Sequence, residues 1–308
     1  MYAQRSDLSF LLSKKDTVRI LVTDSGLGGY SVAAGIDSVL SANKSIKAVQ
    51  VIFCNALPRA NFRYNELADA KAKADVFSSV LQKMQDLFHP DVVLIACNTL
   101  SVVYPLTDFA KTTKTPVIGI VELGVKAITD SLKSNPGSSV LILGTETTIQ
   151  STAHRDLLLR NNIVSDRIIT KACPNLESEI QADPSGDMVS SLVEFYLDEV
   201  PKPADTTSVN KTFAAFCCTH YGFAKPAFEK KLTSMYQQFQ IINPNDEMIR
   251  LFVFPGTNVI SESNVTISIF SQAELSAEEK EGIGKLISPV SPRAGKALDS
   301  YMLLNGIF

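Results

Sequence analysis

The stretch Asp91-Val92-Val93-Leu94-Ile95-Ala96-Cys97-Asn98-Thr99 constrains this chain more than any other. Its centre is an unbroken aliphatic run, the pattern of a strand buried on both faces of a parallel sheet, which requires helices on either side. The run stops at Cys97, and Asn98, Thr99 and Ser101 crowd its exit. In open α/β sheets ligands bind beyond the carboxyl ends of the strands, so a thiol stands at the mouth of a polar crevice. The chain then repeats the arrangement: Lys211 to Phe216 runs into Cys217-Cys218-Thr219-His220-Tyr221. Cys97 and Cys218 are 121 residues apart (218 − 97), far enough for each to cap a strand of its own sheet.

The bulk composition fits that reading. A length of 308 residues suggests two domains of roughly 100–200 residues each, and 45 % hydrophobic residues supply two cores. A net charge of −3 with scattered Lys and Arg excludes nucleic acid or an anionic membrane as the main partner, because phosphate binding relies on a basic face. The apolar patch Phe10-Leu11-Leu12 is too short for a signal segment, and no stretch approaches the ~18 apolar residues of a membrane span. Five cysteines with no CxxC pair and no zinc spacing predict free thiols, a reducing cytoplasm and no metal site.

Taken in order, Val18 to Thr23 reads as the first strand, delivering Asp24 and the glycine-rich Ser25-Gly26-Leu27-Gly28-Gly29 to the crevice. The glycines are expected to turn the chain and approach a ligand; the G-x-G-G spacing argues against a dinucleotide loop. Val49 to Phe53 is a second strand, followed by Cys54-Asn55 and a polar loop with Pro58, Arg59, Asn61, Arg63, Tyr64 and Asn65. Residues 66–88 have helical spacing, and Pro116 to Val121 closes the first half as a fourth strand. Strands at 139–143, 168–172 and 212–216 build a second sheet, with Thr145 and Thr148 at the end of the first of them. Residues 240–244 read as a strand returning to the first domain, and the period-two Asn264 to Phe270 as an edge strand or hairpin arm. No chemistry is expected from 274–308. The fold class is α/β, two similar doubly wound domains with mainly parallel sheets and the active site between them. The first domain takes 1–122 and 245–308, the second 123–244.

Two thiols facing each other across a cleft suit proton transfer at one carbon from both sides. A free thiol near pKa 8.5 needs a neighbour to ionise, and Asp24 can serve Cys97 as His220 can serve Cys218. Cys54, Cys173 and Cys217 read as packing residues. Asp24 alternatively reads as a helix N-cap, His89 as a helix terminus, His154 as helix surface or cleft rim, and Arg59 and Arg63 as solvated charges or holders of a carboxylate.

Three motifs in register carry a resemblance. Asp24-Ser25-Gly26-Leu27-Gly28-Gly29-Tyr30-Ser31-Val32, Ala96-Cys97-Asn98-Thr99 and Cys218-Thr219-His220-Tyr221 resemble the cofactor-independent aspartate/glutamate racemases. Pro116 to Glu122, Thr145-Glu146-Thr147-Thr148 with Ser151, and Ala172-Cys173-Pro174 fall where that family has similar motifs, so the resemblance spans roughly 18 to 250. It implies racemisation of an acidic amino acid, glutamate first and aspartate next, with no cofactor, in the setting of peptidoglycan biosynthesis. It implies Cys97 and Cys218 as opposed acid and base, assisted by Asp24 and His220. Substrate contacts are implied for Ser25, Asn98, Thr99, Thr145, Thr148 and Thr219, with Tyr64 and Asn65 in the remodelled loop. The implied partner is a small dicarboxylic amino acid; a homodimer is left open. The chain departs from the family where Asn55 replaces an acidic residue, where Gly222 and Ala224 replace a Pro-Leu pair, and where Gln181 replaces a glutamate, with Glu177 and Glu179 nearby. Those departures keep two other readings open: a non-catalytic amino-acid-binding relative, and another isomerase of the superfamily.

Overall fold

The computed structural model describes residue 8 and residues 15–43, 46–57, 62–201, 211–253 and 264–304. Pro58, Arg59 and Asn61 of the expected polar loop lie outside the described residues. Among the described residues ten strands form two sheets. Those of the first are β1 (Thr17–Asp24), β2 (Ala48–Asn55), β3 (Val92–Ile95), β4 (Val117–Gly119), β9 (Asn264–Ser271) and β10 (Met302–Leu303). Those of the second are β5 (Ser139–Gly144), β6 (Ile168–Ala172), β7 (Thr212–Cys217) and β8 (Phe239–Ile242).

The first sheet runs β10-β9-β2-β1-β3-β4 and the second β6-β5-β7-β8, and the registered pairs are parallel throughout. The order 2-1-3-4 of the first half recurs as 6-5-7-8. One architecture has therefore been used twice, with strand β3 leading to Cys97 and its counterpart β7 leading to Cys218.

Alternation along each strand feeds two cores per sheet. Ile20 and Val22 of β1 pack on one face with the helix α1 (Tyr30–Asn43), while Leu21 packs on the other with Phe77 and Leu81 of α2 (Ala70–Phe88). In β7, Ala214 and Phe216 face one layer, and Phe213, Ala215 and Cys217 the opposite one. Each large aliphatic or aromatic side chain so buried contributes about 1.5–3 kcal/mol relative to exposure. Burial on both faces explains the continuous aliphatic runs legible in the sequence.

Three strands differ from expectation. Residues 239–242 stay in the second sheet against β7; the return to the first half is made by the helix Pro244–Arg250, which packs on α1 and on the helix Ile120–Ser134. Asn264–Ser271 is neither an edge strand nor a hairpin arm. It pairs in parallel with β2 along eight positions and carries the two-residue β10 on its other side. Its period-two pattern reflects one face covered by the C-terminal helices and a more open opposite face, whose exposure mimics an edge. The fourth strand is also shorter than expected, since Ile120, Val121 and Glu122 already belong to the following helix.

Candidate active site

Both sheets reverse their strand order between the first and third strands of the repeat, which is where a doubly wound sheet opens a crevice. At that point the first sheet presents Asp24 and Cys97 and the second presents Thr145 and Cys218. A cavity of about 320 Å³ lies between them, lined on one wall by Asp24, Ser25, Tyr64, Asn65, Cys97, Asn98 and Thr99. The facing wall is Thr145, Glu177, Gln181, Cys218, Thr219 and His220. All but one of the site residues expected from the sequence line this space. Thr148 is the exception: it stands behind the wall and bonds Thr145 Oγ1 at 3.0 Å, while Thr99 Oγ1 reaches the same Thr145 at 2.8 Å.

On the first wall, Cys97 ends the loop after β3 and caps the short helix Asn98–Val103, its Sγ accepting the Leu100 amide at 3.4 Å. Ser25 Oγ lies 3.2 Å from the same sulfur. Asp24 is not a helix N-cap: its Oδ2 accepts the Thr219 hydroxyl at 2.8 Å, a bond from one half of the chain to the other. On the second wall, Cys218 Sγ lies 3.9 Å from His220 Nδ1, and His220 Nε2 lies 3.0 Å from Gln181 Oε1.

The glycine loop borders the cavity at Gly26 and also meets the facing wall. A Cβ at Gly28 would lie 2.8 Å from the His220 backbone nitrogen and closer still to Thr219 Oγ1, and one at Gly26 would lie 2.7 Å from Gln181 Oε1. Gly28 makes room for the turn that carries Cys218 and His220, and Gly26 makes room first for the Gln181 side chain. Neither has a positive φ, so close approach rather than a left-handed turn demands them.

Two residues escaped the sequence reading, and a third, His154, is neither the helix surface nor the cleft rim expected from the sequence. His154 is buried and bonds Asn98 Oδ1 from Nε2 at 3.1 Å, holding that amide from behind. Ser276 and Glu279, from the segment expected to carry no chemistry, line the cavity, and Gln181 Nε2 donates to Glu279 Oε1 at 2.5 Å. The Ser276-x-x-Glu279 capping box was a readable helix start, but nothing local says where that helix docks. Glu177, a displaced candidate for the family's glutamate, does line the cavity; Glu179 does not. Tyr64 and Asn65 are committed to the protein, the phenol donating to Ala56 O and the Asn65 Oδ1 accepting from Thr147. Arg63 lines the cavity too and bonds Asn175 Oδ1 at 3.0 Å.

The sequence model of Asp/Glu/Hydantoin racemases matches residues 20–198, more than half of the chain. The chain belongs to the Asp/Glu/Hydantoin racemase family. It is 26 % identical to the glutamate racemase of Hydrogenobaculum sp. (strain Y04AAS1) over 82 % of this chain and 87 % of that one. It is 28 % identical to that of Lysinibacillus sphaericus (strain C3-41) over 70 % and 72 %. Its fold matches the crystal structure of glutamate racemase from Francisella tularensis in complex with D-glutamate, with a TM-score of 0.64 at 18 % identity, covering 94 % of this chain and 97 % of the other. An isoform from Bacillus anthracis gives the same TM-score and identity over 88 % and 94 %. Among the described residues no helix is long and apolar enough to cross a membrane.

In this member of the Asp/Glu/Hydantoin racemase family, burial sets the protonation of the site. Burial pushes Asp24 up to about 6, against the opposing pull of the Thr219 hydroxyl and the Gly29 and Ser25 amides. It pushes Cys97 up to about 12; the Asp24 charge acts in the same direction, and Ser25 and the Leu100 amide oppose it. Cys218 is raised well above its ordinary value by burial and then by the charge of Glu177. Burial lowers both His220 and His154 to about 4, leaving both imidazoles neutral at pH 7. Asp24 Oδ1, Asn98 Nδ2 and Glu177 Oε2 have no partner within the protein although all are buried. A buried polar atom without a partner carries a desolvation penalty of about 1–3 kcal/mol, so three around one cavity indicate places for ligand atoms.

Proposed function

We propose that this racemase-family chain inverts the α-carbon of an acidic amino acid without a cofactor, glutamate first and aspartate next. The observation that carries the reading is the placing of Cys97 and Cys218 at equivalent strand ends of two like sheets, on opposite walls of one cavity. The names of the similar proteins support glutamate as substrate.

The unpartnered atoms suggest a pose. Asp24 Oδ1 is an acceptor for the substrate ammonium, and Asn98 Nδ2 is a donor for a carboxylate. With the cavity empty both thiols are protonated. The ammonium brings a positive charge beside the two sulfurs, which favours a thiolate, and the proton of the thiol that ionises passes to its neighbour, Asp24 for Cys97 or His220 Nδ1 for Cys218. One thiolate then takes the α-proton, and the opposite thiol gives its own proton to the other face of the resulting carbanion. The proton count is conserved: one S–H forms, one S–H breaks, and the enzyme is left primed for the reverse direction. Thr219 keeps the Asp24 carboxylate in place, and Thr99, Thr145 and Thr148 form a hydroxyl cluster of their own.

Incubating L- and D-glutamate and both aspartate enantiomers with the pure protein in D₂O, while following optical rotation and α-deuteration, tests the reading. Loss of rotation with one deuterium gained at the α-carbon is expected. If no dicarboxylic amino acid exchanges its α-proton, the racemase reading fails; a rise in Tm with substrate but no exchange would then point to a binding protein.

A further inference from the structure

His220 faces Cys218 through Nδ1 and Gln181 through Nε2. A neutral imidazole carries one proton, and which nitrogen holds it decides whether Nδ1 can accept from a thiol. The partners of Gln181 settle the point. The Leu27 backbone amide can only donate, and it lies 2.8 Å from Gln181 Oε1. The Glu279 carboxylate, when ionised, can only accept, and it lies 2.5 Å from Gln181 Nε2. The side-chain amide is therefore pinned at both ends, its carbonyl toward His220 and its NH₂ toward Glu279. Glu279 is itself held by the capping box at the start of the C-terminal helix Ala277–Ile287, which packs on the helix Leu176–Ala182 that carries Gln181.

We propose that Gln181, pinned between the Leu27 amide and Glu279, is a positioning residue that keeps neutral His220 in its Nε2–H tautomer, leaving the Nδ1 lone pair to accept the Cys218 proton. The step is a proton transfer: the S–H bond of Cys218 breaks, an N–H bond forms at Nδ1, and the electron pair stays on sulfur. A carboxylate at position 181 would achieve the same orientation but would also stabilise the imidazolium. Glutamine orients the ring while leaving it a weak base that returns the proton. Two residues from the first half, Leu27 and Glu279, thus prepare the thiol carried by the second, so this side of the site is complete only when the halves are together. What the tautomer serves rests on the racemase reading; the tautomer itself does not.

The tautomer is read directly from the imidazole ¹⁵N shifts. The chain has three histidines, and the His220 signals are assigned by their loss in a His220→Asn protein. The wild type should show the Nε2–H pattern. Gln181→Met should lose that pattern and slow α-deuteration of the enantiomer served by Cys218. The loss should lie between about tenfold and the ~10⁴-fold that a wrong tautomer costs in the Ser-His-Asp triad. The exchanged pair Gln181→Glu with Glu279→Gln keeps an acceptor facing Nε2 and a donor facing position 181, and should restore the pattern in spectra recorded at alkaline pH, where the imidazolium that a carboxylate at 181 favours is absent. An Nδ1–H wild type overturns the assignment without recourse to any variant. So does a Gln181→Met protein that keeps the tautomer, or an exchanged pair that does not. A wild type with the expected tautomer but no α-exchange of either enantiomer upholds the positioning and sinks the racemase reading.

Discussion

Replacing Gly28 with alanine adds one methyl group where the first half meets the turn bearing Thr219 and His220. Its Cβ would meet the His220 backbone nitrogen at 2.8 Å, about 0.6 Å short of the 3.4 Å at which ordinary van der Waals contact begins. Thr219 Oγ1, which is closer still, can rotate away only by giving up its bond to Asp24. The backbone nitrogen cannot rotate away. The turn bearing Cys218, Thr219 and His220 must therefore recede by roughly half an ångström from the wall that bears Asp24 and Cys97. Because ~1 Å of misplacement can cost about 10²-fold in rate, turnover should fall between about tenfold and a hundredfold. The accompanying stability loss should be about 1–3 kcal/mol, as for other overpacked sites. The assay is the initial rate of racemisation from each enantiomer, with Tm measured in parallel. Gly35→Ala is the control: its Cβ would meet the flexible end of the Ile249 side chain, away from the cavity. It should change stability with kcat intact. A Gly28→Ala protein that racemises like the wild type, or a Gly35→Ala protein that loses as much activity, would refute the reasoning.

Cys97→Ser and Cys218→Ser should each abolish racemisation, because a serine hydroxyl is too basic to ionise at neutral pH, while residual α-deuteration should favour opposite enantiomers in the two variants; the same bias in both would mean that the thiols do not serve opposite faces. Asp24, raised from 3.8 to about 6 by burial, favours the fold below pH 3.8 and loses that contribution as pH rises through 6. Asp24→Asn removes the cost of a buried anion, so by linkage it should stabilise the protein at pH 8 by on the order of 2–3 kcal/mol even as turnover falls; a lower Tm than wild type at pH 8 would contradict this. His154 and His220, lowered from 6.5 to about 4, act in the opposite sense: their stabilisation is present above 6.5 and lost as pH falls toward 4. Denaturant midpoints should therefore drop across that window, and a His154→Gln protein should show a shallower drop; an equally steep drop would exclude His154 as a contributor.

Much of the molecule is legible in the chain because the relevant physics is local. A strand buried on both faces must be aliphatic along its whole length, so the composition of residues 92–95 and 212–216 is enough to announce parallel sheets. A strand's end is marked where the aliphatics stop, so Cys97, Asn98, Thr99, Cys218 and Thr219 can be placed at the crevice from spacing alone. The period-two pattern of Asn264 to Phe270 gives a half-exposed strand, but the edge or hairpin placement fails because alternation reports exposure of one face and carries no information about which strand lies alongside. The glycines at 26 and 28 are visible in the chain, but their reason is not, since the crowding groups, Gln181 and the Thr219-His220 turn, belong to remote parts of the chain.

The sequence by itself determined the class of fold and the position of the two thiols at strand ends, because those follow from hydrophobic period, while most of the side chains around them were implied by the resemblance of the motifs to the racemase family. Only the tertiary structure decided that His154 supports Asn98, that Thr148 stands behind the wall, and that Glu279 of the C-terminal helix closes the chain of hydrogen bonds through Gln181 to His220. Each of those depends on where one element docks on another. Docking is a sum of many weak contacts between surfaces remote in the chain, and no single residue along the sequence encodes it.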